Sequence, residues 1–160
     1  MNINSLSQKY SVRKLDENDV DIIYDMSCKN DIFYQYHPPF VTRESILDVM
    51  GALPPGKGYD DKFYVGFFEN DSLVGLMDLI LDYPEKEISF IGLFMTDTRY
   101  QNRGVGSGII SDVILCLKSS GYKEIRLGVD KGNPQSYSFW TKNKFTPIRE
   151  DTYILMGLRI

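Results

Sequence analysis

Cysteine is scarce in this chain: Cys28 and Cys116 are the only two among 160 residues, far apart and at no metal-ligand spacing. They read as two buried free thiols in a reducing compartment, and neither sits in a motif that would activate it as a nucleophile. No metal is expected. A positive excess is also lacking, with 18 Lys and Arg against 22 Asp and Glu for a net charge of -4. That argues against a nucleic-acid partner, which usually demands a basic face, and mildly favours a cationic ligand. No apolar stretch approaches the roughly 20 residues that span a bilayer, so no membrane partner is expected. The opening "MNINSLSQKYS" lacks a basic segment followed by an apolar run, so no signal peptide is expected and the cytoplasm is the default. Internal repeats and low-complexity tracts are absent as well.

What is present suits one ordinary globular domain over residues 1–160, 42% hydrophobic and 25% charged, long enough to bury a core without disulfides or metals. Residues 10–16 read as a short strand. Residues 17–29 read as a helix with Val20, Ile23 and Tyr24 on one side and Asn18 or Asp19 as its cap. The aromatic stretch "NDIFYQYHPPF" reads as a loop closed by Pro38-Pro39, and 42–53 as a helix with Thr42 and Ser45 as cap candidates. After the "PPGKGYDD" break come two strands joined around Asn70-Asp71, then a third long strand over 87–96. A helix then runs to Gly121, a C-terminal cap candidate, followed by a strand over 123–130, a helix led by Asn133, and a last strand pair. This order predicts an α/β (α+β) protein with a mixed, mostly antiparallel sheet and one strand–helix–strand crossover.

The residues that carry chemistry lie in "TDTRYQNRGVGSGIISDVILCL", where Gly104, Gly106 and Gly108 crowd the start of a helix. Glycine there costs up to about 1 kcal/mol relative to alanine. Bare backbone lets a ligand come close, and the first helical turn offers unpaired N–H groups under a positive dipole end, which together make a phosphate cradle. A Walker loop needs G-x-x-x-x-G-K-S/T, and no lysine follows these glycines. A dinucleotide fingerprint needs G-x-G-x-x-G, and Ile109 stands where its third glycine belongs. A third pattern, R/Q-x-x-G-x-G/A, is met at every specified position by Gln101-Asn102-Arg103-Gly104-Val105-Gly106. A tight turn that binds nothing is the plain alternative.

With this motif the chain resembles the GNAT superfamily of acyl-CoA-dependent N-acyltransferases. The resemblance spans about residues 88–148, since "IGLFMTDTRYQNRGVG…KEIRLGVDKGNPQSYSFWTKNKF" repeats the family's order of long strand, glycine loop, helix, strand and Asn-led helix. It implies a sheet of six to seven strands flanked by about four helices, with a splay between the strands 87–96 and 123–130. It implies acetyl-CoA as co-substrate, its pyrophosphate on backbone N–H groups from Gln101, Asn102, Arg103, Gly104, Val105 and Gly106, with Ser107. Main-chain groups of Phe94, Met95 and Thr96 would pair with the pantetheine arm. Asn133 would touch the same arm, with Ser136 and Trp140 nearby; Asn133 before Pro134 is equally a good helix cap in its own right.

The expected reaction is transfer of an acetyl group to a primary amine of a small molecule or peptide, by direct attack in a ternary complex. A lysine-like amine is neutral about once in 2,500 molecules at pH 7, a deficit of about 4.6 kcal/mol, so a proton acceptor is needed. Family members often carry a tyrosine seven residues after the Asn to protonate the thiolate. Here that position is Trp140, which cannot serve, and Tyr137, one helical turn earlier, is the substitute candidate. Positions where relatives carry glutamates correspond to Phe90 and Gly128, so neither carboxylate is present. Asp78, Asp82 and Glu87 are the base candidates, and Asp78 stands out because it lies mid-strand among apolar neighbours. A solvated strand-end charge is the plainer account of each. Lys144-Phe145 replaces the Gly-Phe that usually closes the motif. Phe33, Tyr34, Tyr36, His37, Phe40 and Tyr59 are candidates to line an acceptor pocket, or else pack under a long loop. A homodimer is compatible with the resemblance. Two other classes stay open: a non-catalytic acyl-CoA-binding or sensing domain of the same fold, and a nucleotide-binding enzyme of another fold.

Overall fold

The computed structural model describes residues 1–160. Seven strands alternate with five helices: β1 (Ser11–Lys14), α1 (Val20–Ser27), α2 (Asp31–Tyr36), α3 (Arg43–Gly51), β2 (Lys62–Glu69), β3 (Ser72–Ile80), β4 (Ile88–Thr96), α4 (Val105–Ser119), β5 (Glu124–Val129), α5 (Pro134–Lys142), β6 (Thr146–Glu150) and β7 (Ile154–Arg159). Short 3-10 turns cover Ile3–Leu6, Glu17–Asp19 and Thr98–Tyr100. The sheet runs β1-β2-β3-β4-β5-β7-β6, and every neighbouring pair is antiparallel except β4 and β5. That is the mixed, mostly antiparallel sheet expected, but with two crossovers and not one: α4 joins the parallel pair β4 and β5, and α5 carries the chain from β5 over to β6 on the far side of β7.

Local chemistry explains most of the boundaries. Asp16 caps the 3-10 turn Glu17–Asp19, its side chain accepting from the Asn18 N–H, and Asp19, one of the two expected caps, stands at the N-cap of α1 but makes no side-chain cap bond there. Asp19 instead returns a bond to the Asp16 N–H while holding Arg13 in a two-pronged ion pair at 2.7 and 2.8 Å. Thr42 and Ser45 form a reciprocal capping box at α3. Gly121 takes a φ of 92° just past α4, which lets the Tyr122 N–H turn back to the Leu117 carbonyl. The aromatic stretch expected as a loop contains α2, a helix of six residues with no buried side chain. Its ring-to-ring contacts, Phe33 with Tyr34 and His37, and Tyr34 with Phe40, hold it together.

The two sheet faces bury separate cores. On one, Ile109, Ile110, Val113 and Leu117 of α4 and Trp140 of α5 pack on Val65, Phe67, Met77, Ile91, Leu127 and Val129. On the other, Ile23 and Met26 of α1 and Ile46 of α3 pack on Tyr64, Leu76 and Met95. No helix is long and apolar enough to cross a membrane. Of the two cysteines, Cys116 is buried and Cys28 only half-buried, and both are free thiols.

Candidate active site

The site follows from how two parallel strands part. β4 and β5 pair only from Ile88 opposite Glu124 to Ile91 opposite Leu127. Beyond Ile91, β4 runs five more residues to Thr96, held on its other side by β3 but with no partner toward β5. A cleft of about 450 Å³ lies beside this splay, lined by the end of β4, the 101–107 loop and the first turns of α5.

A run of unpaired donors borders the cleft. The Gln101 N–H is spent on the Thr98 carbonyl at 3.3 Å, and the first bond of α4 runs from the Gly108 N–H to the Gly104 carbonyl. The six backbone N–H groups between, Asn102 to Ser107, reach no protein acceptor. The dipole of a 15-residue helix adds positive potential at that point. An anion with several oxygens, such as a pyrophosphate, is what such a surface holds best.

The three glycines serve different ends. Gly104 caps α4 at a φ of 78°, a left-handed conformation, and a Cβ there would meet nothing within 4 Å. Gly106 provides close packing: a Cβ would stand 3.1 Å from the Phe139 ring and 3.7 Å from that of Phe94. Gly108 does not: nothing lies within 4 Å of a Cβ there.

Other candidates for the coenzyme site fall around the same cleft. Phe94, Met95, Thr96, Gln101, Asn102, Ser107, Asn133, Ser136 and Trp140 line it, together with Phe33 from α2. Arg103 and Val105 do not line it, and the Arg103 side chain is exposed. Asn133 is 3% exposed and caps α5, accepting from the Ser136 N–H at 3.0 Å. Trp140 is buried in an aromatic cluster with Phe94, Phe139 and Phe145. Three side chains that sequence reasoning missed hold this geometry. Asn30 accepts from Gln101 Nε2 at 2.7 Å and donates to the Thr96 carbonyl, tying α2 to the end of β4. Asn143 donates to Ser107 Oγ at 3.2 Å, tying the end of α5 to the start of α4. Lys142 brings a positive charge to the cleft wall. An Asn or a Lys in a loop or helix end carries no signal in sequence alone.

Lys144 adopts the left-handed conformation, φ 71°, that the usual glycine would take at this turn, so Phe145 still reaches the core at 1% exposure. A lysine there carries strain of about 1 kcal/mol that glycine would not. Lys144→Gly is therefore expected to raise the melting temperature by about 2–4 °C, measured by calorimetry, without altering the cleft.

The acceptor and acid–base candidates are more dispersed. Tyr137 lies between Ser136 and Ser138 on the helix but is 39% exposed and does not line the cleft. Tyr36 lies near Gly132, and His37 Nδ1 sits 3.1 Å from both oxygens of Asp130, so α2 is strapped to the end of β5. Tyr34 stacks inside the α2 aromatic group and Tyr59 is 65% exposed, its hydroxyl on the Gly51 carbonyl. Asp82 is at the other end of β4, where its left-handed residue (φ 51°) accepts from the Glu87 N–H to shape the β3–β4 turn. Glu87 pairs there with Lys123.

Asp78 is different from all of these. It is 7% exposed, faces the α1–α3 side of the sheet, and accepts a 2.8 Å bond from Lys62 Nζ, itself on a residue 5% exposed. Burial pushes its carboxyl above the usual range, against the pull of the Lys62 ammonium. No group of side chains in the structure has the makings of a metal site.

Comparison with known proteins agrees with this geometry. The acetyltransferase (GNAT) family matches residues 27–145. No curated protein sequence matches. Among solved structures, an acetyltransferase from Thermus thermophilus superposes with a TM-score of 0.79 at 16% identity, covering 100% of both chains. The PaiA N-acetyltransferase from Thermoplasma acidophilum, solved in complex with coenzyme A, gives 0.70 at 18% identity over 94% of this chain and 98% of that one. The ribosomal-protein-S18-alanine N-acetyltransferase from Escherichia coli gives 0.65 at 15% identity, over 94% and 93%. At such identities these likenesses speak for the fold, but the family match spans most of the sequence, and the chain belongs to the acetyltransferase (GNAT) family.

Proposed function

We propose that this protein transfers an acetyl group from acetyl-CoA to a primary amine of a small molecule or peptide, by direct attack within a ternary complex. The observation that carries the reading is the run of six unpaired N–H groups, Asn102 to Ser107, at the head of α4 beside an open strand edge. The pyrophosphate would lie on that run, and the pantetheine arm along the free side of Phe94, Met95 and Thr96, with Asn133 beside it. The thioester would then reach the fork of the splay, where a backbone N–H near Phe94 to Met95 would bond its oxygen and stabilise the charge that develops on attack. That the PaiA N-acetyltransferase was solved with coenzyme A supports the choice of donor.

Attack forms the C–N bond and breaks the C–S bond, so the departing thiolate needs a proton. Trp140 has none to give near neutrality, and Tyr137 is 39% exposed and outside the cleft lining. Water in the cleft is the donor in this reading, and Tyr137→Phe is expected to leave kcat within about twofold. A fall of tenfold or more would return the role to Tyr137.

The buried tryptophan at the family's tyrosine position also favours a second reading, an acyl-CoA-binding domain without turnover. A turnover screen with acetyl-CoA against amino acids, polyamines, aminoglycosides and short peptides separates the two. Release of free coenzyme A thiol that depends on an amine supports the enzyme, whereas tight acetyl-CoA binding with no amine-dependent release supports the sensor.

A further inference from the structure

The last paired residue of β4 on its β5 side is Ile91, and the next is Gly92. Gly92 is also the extra residue of a bulge, because Asp78 faces Leu93 while Leu79 faces Ile91. It is exposed, and the three atoms nearest its side-chain position all belong to Asp78. A Cβ built there would stand 3.1, 3.6 and 3.8 Å from Oδ2, Cγ and Cβ of Asp78, with no other neighbour closer. The Asp78 carboxylate therefore lies against the backbone of Gly92 at the point where β4 and β5 part, next to where an acceptor amine would meet the thioester.

The carboxylate is held for such a contact. Lys62 Nζ binds Oδ2 at 2.8 Å and the Ala52 carbonyl at 3.0 Å, which fixes the ammonium from two sides. Asp78 Oδ1 is the one buried side-chain polar atom in the structure with no hydrogen-bond partner. A buried carboxylate oxygen left unpaired is costly and marks a candidate functional group; the oxygen nearest Gly92 is the other one, Oδ2, which Lys62 already holds.

We infer that Asp78, set beside Gly92 at the fork of the splay and positioned by Lys62, takes the proton from the acceptor ammonium. This rests on the acetyl-transfer reading above. The ammonium gives one proton to Asp78, and the neutral amine attacks the thioester carbonyl. The C–N bond forms, the C–S bond breaks, the second amine proton passes through water to the coenzyme A thiolate, and Asp78 returns its proton to solvent. The groups facing Asp78 are Lys62 and Tyr64 from β2, with Tyr34 of α2 beyond Tyr64, and β4 presents only Gly92 and Leu93. Lys62 is thus the one cation on the carboxylate. Asp78 is a catalytic residue in this scheme and Lys62 a positioning residue.

Two acceptors of similar size test it: ethylamine, protonated at pH 7, and 2,2,2-trifluoroethylamine, already neutral there. The variants are Asp78→Asn and the pair Lys62→Met with Asp78→Leu, which removes both buried charges together and keeps the fold if the ion pair is only structural. Expected are acetyl-CoA affinity within twofold of wild type by calorimetry, and a rate with ethylamine about 100-fold lower in both variants. The rate with trifluoroethylamine should fall less than tenfold, because that amine has no proton to surrender before attack. An equal loss with both amines, or recovery of the ethylamine rate in the double variant, would overturn the role of Asp78. Wild-type protein that binds acetyl-CoA yet shows no amine-dependent release of coenzyme A thiol with these two amines or with any acceptor in the turnover screen would overturn the transfer reading itself, and this inference with it.

Discussion

Gly104→Glu is expected to abolish acetyl-CoA binding, read by calorimetry, in a protein whose circular dichroism is unchanged. The residue caps α4 at a φ of 78°, and a Cβ there meets no protein atom within 4 Å. Its cost to the fold is the left-handed conformation alone, about 1–2 kcal/mol. Its cost to binding is much larger, because the carboxylate occupies the surface formed by the N–H groups of Asn102 to Ser107. Two unit charges 4 Å apart near a protein surface repel by about 4 kcal/mol, and a pyrophosphate carries more than one. The new carboxylate also satisfies donors at the helix N-terminus that the pyrophosphate would otherwise use. Together these exceed a roughly 1,000-fold loss. Gly104→Ala separates the two causes: it carries the same backbone strain without charge, so it should melt a few degrees lower and keep most of its affinity. Unchanged affinity in Gly104→Glu would remove the pyrophosphate from this loop.

What the sequence made legible here is local, and what it hid is not. The cradle could be read because its parts are neighbours in the chain: the strand, the glycines and the helix start all lie between Ile88 and Ser119. The caps at Thr42, Asn133 and Gly121 are likewise written within a few residues. α2 was hidden because six residues, Asp31–Tyr36, just ahead of Pro38-Pro39 carry no helical period, and the contacts that hold it are ring to ring. The assignment of Gly106 to packing and Gly108 to open space depends on where Phe139 arrives, 33 residues after Gly106 in the chain. Lys62 was invisible as a site residue for a similar reason. β2 places Tyr64, not Lys62, opposite Asp78, and the lysine reaches the carboxylate diagonally from opposite Ile80. Only the strand register creates that meeting. The same register puts Asp82 at the wrong end of β4 for the splay, a distance its four-residue separation from Asp78 does not suggest.

Lys62→Met should destabilise the protein more than any other single change considered, and the second substitution Asp78→Leu should restore most of the loss. Both side chains are nearly excluded from water, at 4% and 10% exposure. Breaking such a pair leaves an uncompensated buried carboxylate and costs about 3–5 kcal/mol, which in a domain of this size lowers the melting temperature by roughly 6–20 °C. Replacing both partners by apolar groups removes the two desolvation penalties together, so the double variant should melt close to wild type. The single variant also has a pH signature. In the wild type burial already raises the Asp78 carboxyl, and the hydrogen bond and charge of Lys62 are what oppose that rise. Without Lys62 the folded-state pKa climbs further above its unfolded value near about 3.9, so between the two values the folded state binds more protons than the unfolded state. Stability must then fall as pH rises through that window and level off above it. Lys62→Met is expected to melt higher at about pH 5 than at about pH 8, while the double variant, with no carboxyl at position 78, loses that difference. Equal pH dependence in the two variants would mean that the carboxylate finds another partner once Lys62 is gone.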